Sequence, residues 1–129
     1  MMFPNLFSPL KIGSVEVKNR ISFQPHLTNF AVGNLPSERQ MYYWGERAKG
    51  GAGLVITEEL TVHPTDMAYE KLIDVYHSEV IPGFKKITDY VHQARLGIRS
   101  NVGLHAKVHL LAPLARMHLR VALVFFVLG

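Results

Sequence analysis

The sequence contains no cysteine, and acidic residues are absent from its last third. Without a thiol, the chain cannot form a disulfide framework, bind an iron–sulfur cluster, hold a cysteine-ligated zinc ion or use a cysteine nucleophile. The N-terminus also lacks a basic stretch followed by an apolar segment. No secretory signal is therefore indicated, and we expect a cytoplasmic protein.

The acidic residues are unevenly distributed along the chain. All ten lie at or before Asp89, where nine lysines and arginines balance them. From Tyr90 onward there are five lysines and arginines, four histidines and no acid. About a quarter of the residues of an ordinary protein are charged, so a run of this length without an acid indicates a change in composition. We therefore divide the chain into a segment at 1–93 and a divergent basic and apolar tail at 94–129.

The first part of the chain has the pattern of short strands. Residues 9–18 predict a β-hairpin that turns at Gly13-Ser14, because β-branched residues flank the turn. Residues 21–24 predict a strand that ends before Pro25, which cannot donate to a sheet ladder. A loop is expected from His26 to Pro36.

Two helices and a buried strand follow. Ser37 and Gln40 form the pattern of a capping box, so we expect a helix from Ser37 to the Gly50-Gly51 pair, where positive φ costs little. The apolar run at 54–57 predicts a strand buried on both faces, and a long polar loop is expected over 59–77. A second helix is predicted over 79–93, with one apolar face formed by Val80, Phe84, Ile87 and Val91.

The alternation of strand, loop and helix occurs twice, which predicts parallel strands with helices outside them. An open doubly wound sheet and a barrel both satisfy this order. A hairpin before the first parallel strand favours the barrel, because it would close the bottom. The polar loops after both strands would then lie where barrel enzymes have their sites.

Several short motifs occur in a fixed order: Ser8-Pro9-Leu10-Lys11-Ile12-Gly13, Val17-Lys18-Asn19-Arg20-Ile21, Gln24-Pro25-His26, Gly50-Gly51-Ala52-Gly53-Leu54-Val55-Ile56-Thr57-Glu58 and Val62-His63-Pro64. In order and spacing they resemble the old yellow enzyme family of NADH:flavin oxidoreductases, nearest the branch of trimethylamine dehydrogenase and 2,4-dienoyl-CoA reductase. The resemblance covers about the first 92 residues. It implies the N-terminal part of an α/β fold, the (β/α)₈ TIM barrel, with a bottom hairpin and two β/α units.

The resemblance also implies the chemistry. FMN would be the cofactor, NAD(P)H the electron donor and a small molecule the substrate. The loops after the two strands would contact the flavin through Pro25, His26, Leu27, Thr28 and Glu59. Glu58 would face the substrate pocket, and because neighbouring residues that leave a strand point to opposite sides, we expect one of Glu58 and Glu59 to point inward and the other to be solvated.

Other interpretations of the same residues are plainer. His26 could simply cap the end of its strand. His63 and His77 lack a third ligand at useful spacing, so no metal site is predicted. The glycines at 50–53 precede a strand instead of following one, which argues against a dinucleotide-binding loop.

The tail after Gln93 departs from the family pattern, which would continue into a third parallel strand. A shifted reading frame or a truncated gene is one hypothesis, and it implies a chain that is inactive alone unless oligomerisation rebuilds the barrel. The alternative is a non-catalytic remnant whose basic amphipathic tail associates with a membrane surface or a partner. The apolar run at 121–128 is far shorter than the roughly 20 residues of a membrane span, and no aromatic RNA-binding motif accompanies the basic residues. We expect the tail to be irregular or helical, because residues 110–124 favour a helix over a strand.

Overall fold

The computed structural model describes residues 3–65, 70–96 and 125–127. Its elements, in chain order, are β1 (Leu10–Ile12), β2 (Val15–Val17), β3 (Ser22–Phe23), α1 (Glu38–Lys49), β4 (Leu54–Ile56), β5 (Leu60–Thr61), β6 (Ile73–Asp74), α2 (Val80–Leu96) and β7 (Phe125–Val127).

Strands β1 and β2 form the predicted hairpin. They pair antiparallel, with Leu10 opposite Val17 and Ile12 opposite Val15. Gly13 has φ +59, a backbone conformation that glycine adopts without the steric cost of a side chain. This confirms both the hairpin and the position of its turn.

Strands β3 and β4 are parallel neighbours, with Ser22 opposite Leu54 and Phe23 opposite Val55. Helix α1 lies between them in the chain, so β3, α1 and β4 form a β/α/β unit, as the sequence predicts. Parallel strands require such a crossover, because a tight turn cannot return the chain in the same direction.

The amino-terminal ends of β3 and β4 are locked together by Asn19. Its side-chain Nδ2 donates to the carbonyl of Gly51 at 2.8 Å, and its Oδ1 accepts the backbone N–H of Ile21 at 3.0 Å. Gly53 is needed at this place, because a Cβ on it would lie 2.5 Å from Asn19 Oδ1 and 2.8 Å from the Asn19 carbonyl oxygen.

Helix α1 begins with the predicted capping box. The Ser37 hydroxyl accepts the N–H of Gln40 at 3.3 Å, and the Gln40 side chain accepts the N–H of Ser37 at 2.8 Å. The helix ends at Gly50, which is right-handed at φ −66, and the positive φ belongs to Gly51 at +102. The predicted end at the Gly50-Gly51 pair is therefore confirmed, with the positive φ on the second glycine of the pair.

Helix α2 packs against α1 and closes the core. Its four predicted apolar positions are all buried, together with Trp44 and Ala48 of α1 and Val55 of β4. The two helices approach closely at Gly45, where an added Cβ would collide with the Tyr90 ring. The ring of Tyr90 also contacts Tyr42 edge to face at 5.3 Å between centroids.

The stretch 59–77 corrects one expectation, because it is not an uninterrupted polar loop. Strands β5 and β6 pair in parallel within it, with Leu60 opposite Ile73, and both of these side chains are fully buried. Two-residue strands are too short to show a periodicity of two, so isolated apolar residues in a polar stretch gave no strand signal. Residues 66–69 lie outside the described part of the chain.

Strand β7 pairs antiparallel with the second edge of β4, with Leu54 opposite Val127 and Ile56 opposite Phe125. A strand here differs from the helical preference that we assigned to the tail, although the region 110–124 itself lies outside the described residues. An open edge of β4 offers unpaired backbone groups, and aromatic and β-branched residues fit that pairing. In the described ranges the sheet has the order β3-β4-β7 and does not close into a barrel.

No helix within the described residues is long and apolar enough to cross a membrane.

Candidate functional site

The two polar loops predicted to form the site leave the same edge of the sheet. Because β3 and β4 are parallel and in register, Gln24–Thr28 and Thr57–Glu59 both follow the carboxyl ends of their strands. The parallel pairing of the two strands is as predicted, and the assignment of these residues to a cofactor site stays a prediction. The side chains of Pro25 and His26 are exposed, and those of Leu27, Thr28 and Glu59 are partly buried.

Glu58 lies beneath these exposed residues and connects three elements of the fold. Its side chain is only 1 % exposed. One carboxylate oxygen, Oε2, accepts the backbone N–H of Thr28 at 2.6 Å and the hydroxyl of Thr28 at 2.5 Å. The other oxygen, Oε1, accepts a hydrogen bond from Nε2 of Gln40. Glu58 therefore joins the loop after β3, the end of β4 and the first turn of α1.

Gln40 has two functions in this network, and our sequence analysis assigned it only one. Its Oε1 accepts the N–H of Ser37 in the capping box, and its Nε2 donates to Glu58. Glutamate at this position could also complete a capping box, but a carboxylate has no hydrogen to donate. The amide at this third helical position, followed by a buried glutamate after the next strand, is the signal that could have revealed the network.

His26 is connected to α1 at the surface. Its Nδ1 and the hydroxyl of Tyr43 are 2.6 Å apart, and the two rings lie 5.9 Å apart between centroids. The guanidinium of Arg47 lies over the Tyr43 ring at 3.5 Å, within the range of a cation–π contact. Phe23 and Phe30 contact the same ring edge to face. Tyr43 thus holds the loop after β3 against the helix from outside, as Glu58 does from inside.

Glu58 and Glu59 differ in their burial. Glu58 is buried and Glu59 is partly exposed. Glu59 is the carboxylate of the pair that a bound molecule could reach directly. The assignment of Glu58 to a substrate pocket and of Glu59 to the cofactor stays a prediction.

The histidines that we considered as metal ligands are engaged otherwise or far apart in the chain. His63 Nδ1 lies 2.8 Å from the hydroxyl of Thr65, and His77 packs on Tyr76 at 4.2 Å between ring centroids. In the ranges that the structure describes, no group of three or more metal-ligating side chains comes together.

A sheet of parallel β/α units with polar loops at the carboxyl ends of its strands defines the class of (β/α)-type proteins, whose ligand sites lie at that edge. Known proteins make the assignment specific. The sequence profile of the NADH:flavin oxidoreductase / NADH oxidase family matches residues 5–107. The chain belongs to this family. The match extends past Gln93 into the segment that we separated as a tail, whose boundary stays a prediction.

Individual relatives agree with this assignment. N,N-dimethylglycine/sarcosine dehydrogenase of Chromohalobacter salexigens is 32% identical over 96 residues, which is 72% of this chain and 14% of that protein. The structure of 2-naphthoyl-CoA reductase matches with a TM-score of 0.69 and 31% identity over 73% of this chain and 14% of that one. The old yellow enzyme of Trypanosoma cruzi matches with a TM-score of 0.63 and 30% identity over 72% of this chain and 25% of that one.

The coverage and identity values bear on the length of the relatives and on the branch within the family. The chain spans between 14% and 25% of the length of these three proteins. Dehydrogenase and old yellow enzyme relatives are nearly equal in identity, at 32% and 30%, so the branch within the family stays a prediction.

The residues at the strand ends fit a flavin in part. No hydrogen bond joins the backbone N–H of His26 or Leu27 to another described residue, so both groups are available to the polar edge of a planar heteroaromatic ring. Thr28 fits less well, because its N–H and its hydroxyl hydrogen are both donated to Glu58. The backbone of Pro25–Leu27 is therefore the part of the loop suited to hold FMN, with Thr28 supporting it from below.

Proposed function

We propose that this chain supplies the N-terminal β/α units of an FMN-dependent NAD(P)H oxidoreductase of the old yellow enzyme type, in which the loops after β3 and β4 contact one side of the flavin. A bound flavin would supply the redox chemistry, accepting hydride from a nicotinamide and passing it to a small-molecule acceptor. The residues of this chain would bind and orient it, and Pro25, His26, Leu27, Thr28 and Glu59 are the proposed contacts.

The observation that carries the proposal is the parallel pairing of β3 with β4 in a chain of this family. It brings the backbone of Pro25–Leu27 and the carboxylate of Glu59 to one edge of the sheet. N–H groups without a partner among the described residues, at the same edge of the sheet as a partly exposed acid, suit a ring whose edge has both acceptors and a donor.

We further propose that the 129-residue chain does not turn over by itself. A (β/α)₈ barrel takes about 250 residues and eight strands, and within the described ranges β3 and β4 are the only paired parallel strands that a helix connects. Contacts to one side of a ring offset little of the cost of binding and of ordering loops. We expect a dissociation constant of about 1 mM or weaker for FMN, against the far tighter binding of a complete site.

The test is a titration of the isotope-labelled chain with FMN, followed by amide chemical shifts in nuclear magnetic resonance spectra. We expect shifts that concentrate at His26, Leu27, Thr28 and Glu59, with no consumption of NAD(P)H above that of free FMN. Inorganic phosphate at the same concentration is the control, because it reports contacts made by the phosphate group alone.

Two results would contradict the proposal. Shifts that fall on the opposite ends of the strands, around Asn19 and Gly53, would remove the flavin from the predicted loops. Micromolar binding with flavin-dependent turnover would show that the chain completes its own site, for instance as an oligomer. A cytoplasmic location and the alternative of a tail that binds a membrane surface or a partner stay predictions.

A further inference from the structure

We infer that Glu58 is a positioning residue for the flavin-facing loop, and that it acts through Thr28 without touching cofactor or substrate. The inference rests on the proposed function, since it assigns a role to a residue beneath the same site. It differs from the substrate-pocket role that the family resemblance implied for Glu58.

The first step is the occupation of the Glu58 carboxylate. Both oxygens accept hydrogen bonds from protein groups, three in all, and the side chain is 1 % exposed. A carboxylate in this state offers no open face to a substrate. It instead anchors two segments that are distant in the chain, because it is bonded to residues 30 and 18 positions away.

The second step is the way in which the network reaches the loop. Glu58 binds both the backbone N–H and the hydroxyl of Thr28, which fixes the main chain and the side-chain rotamer of that residue together. The Thr28 hydroxyl oxygen in turn accepts the N–H of Phe30 at 3.3 Å. The chain is therefore held at Thr28 and Phe30, directly after the three residues whose backbone would contact the flavin.

The third step is the choice of residue types around Glu58. Thr28 and Gln40 present only hydrogen-bond donors to it, and an ionised carboxylate is an acceptor only. An amide at position 58 could accept from Thr28, but its NH₂ group would then meet the NH₂ group of Gln40. A glutamate is thus the residue that satisfies all three donors at once.

The fourth step is the contrast with the neighbouring residues of the loop. His26 is tied to the surface through Tyr43, and its bond lies in an exposed environment. Exposed hydrogen bonds exchange readily with water, so this contact orients the loop weakly. The part-buried attachment of Thr28 to the buried carboxylate of Glu58 is the one that can define the position of Pro25–Leu27.

The experiment uses the full chain and a set of conservative variants. Thr28→Val keeps the N–H bond to Glu58 and the side-chain volume but removes the hydroxyl, whereas Thr28→Ser keeps both donors. Glu58→Gln removes the match to Gln40, and Glu16→Gln, at an exposed site in β2, is the charge control. Two quantities are measured for each: amide hydrogen exchange without FMN, and the FMN-induced shifts of His26 and Leu27.

We expect selective effects on the loop. In Thr28→Val the Phe30 amide should exchange about tenfold faster or more, since a partly buried hydrogen bond is lost. The Met41 amide, bonded within α1 to Ser37, should change by less than about twofold. Glu58→Gln should release residue 28 as well, and both variants should lose the FMN-induced shifts of His26 and Leu27 that Glu16→Gln retains. Thr28→Ser should keep the slow exchange of the Phe30 amide.

Other outcomes overturn the inference or its foundation, and they can be told apart. Faster exchange at Met41 and Phe30 in equal proportion would show that Glu58 only stabilises the fold. Faster exchange confined to the loop, with unchanged FMN shifts, would show that the hydrogen bonds of Glu58 do not position the flavin contacts. If the unsubstituted chain shows no FMN shifts while exchange in the loop of the variants is still selectively faster, the proposed function fails, but the role of Glu58 in holding the loop stands. Should Glu58→Gln fail to fold, Thr28→Val decides.

Discussion

The two ends of the β3–β4 pair are fastened by different chemistry. At the amino-terminal end, Asn19 bonds only backbone groups, and Gly53 lies against it with no room for a side chain. At the carboxyl-terminal end, Glu58 bonds the backbone N–H and hydroxyl of Thr28 and the side chain of Gln40. The exposed loop above it carries backbone N–H groups that have no partner among the described residues. The amino-terminal end is closed, because Asn19 and Gly53 pack without space between them. The carboxyl-terminal end is open, because an exposed loop lies above the buried hydrogen bonds of Glu58.

The difference agrees with the division of labour in β/α proteins, where the lower end of the strands stabilises the fold and the upper end carries the site. The same difference predicts what a substitution at each end of the strand pair should change. A substitution at the closed end should affect stability alone, whereas a substitution in the buried layer of the open end should affect both stability and the shape of the loop.

The largest effect is expected for Gln40→Glu. The new carboxylate would face the Glu58 carboxylate, replacing a donor with a second negative charge in a buried place. We expect a loss of about 3 kcal/mol or more in the free energy of unfolding, measured by urea denaturation. Glutamate and glutamine both complete a capping box, so the cap alone predicts almost no change. An unchanged free energy of unfolding would therefore show that the Glu58–Gln40 contact does not fasten the carboxyl-terminal end of the strand pair.

An intermediate effect is expected for Gly53→Ala at the closed end. The added methyl group would lie 2.5 Å from Asn19 Oδ1 and 2.8 Å from its carbonyl oxygen, and the latter is backbone that cannot rotate away. We expect a loss of about 1–3 kcal/mol in the free energy of unfolding, with FMN-induced shifts at the loop unchanged in position. Gly50→Ala is the matched control, since Gly50 has φ −66 and its nearest contact to an added Cβ is 3.3 Å. Equal losses in both variants would show that the close approach to Asn19 is not the cause.

The smallest effect is expected for Tyr43→Phe. It removes the hydroxyl that lies 2.6 Å from His26 Nδ1 but keeps the ring that contacts Phe23, Phe30 and Arg47. Because the bond is exposed, we expect a change of about 0.5 kcal/mol or less in stability, together with a clear change in the Nδ1 chemical shift of His26. A loss of stability as large as that of Gly53→Ala would mean that the hydrogen bond between Tyr43 and His26 holds the loop as firmly as Glu58 does.

Much of the fold was predictable because its signals are local. The hairpin turn at Gly13, the capping box of Ser37 and the apolar face of α2 each depend on residues within a few positions of one another. Strands β5 and β6 were missed, since two-residue strands form only where a distant partner meets them. Strand β7 was missed because the helical preference of residues 110–124 outweighed the valines and phenylalanines near the end of the chain, which favour a strand beside the open edge of β4.

The candidate site shows the same division between features with local signals and features set by distant partners. The sequence by itself determined which residues follow the two parallel strands, and so which groups gather at one edge of the sheet, because strand direction and order follow from local periodicity and chain connectivity. Only the tertiary structure decided what those residues do. It joined the buried Glu58 carboxylate to Thr28 and Gln40 and left the backbone N–H groups of His26 and Leu27 without a partner among the described residues. The physical reason is that hydrogen-bond partners 18 and 30 residues apart in the chain are chosen by how the helix packs on the sheet, and no local pattern encodes that choice.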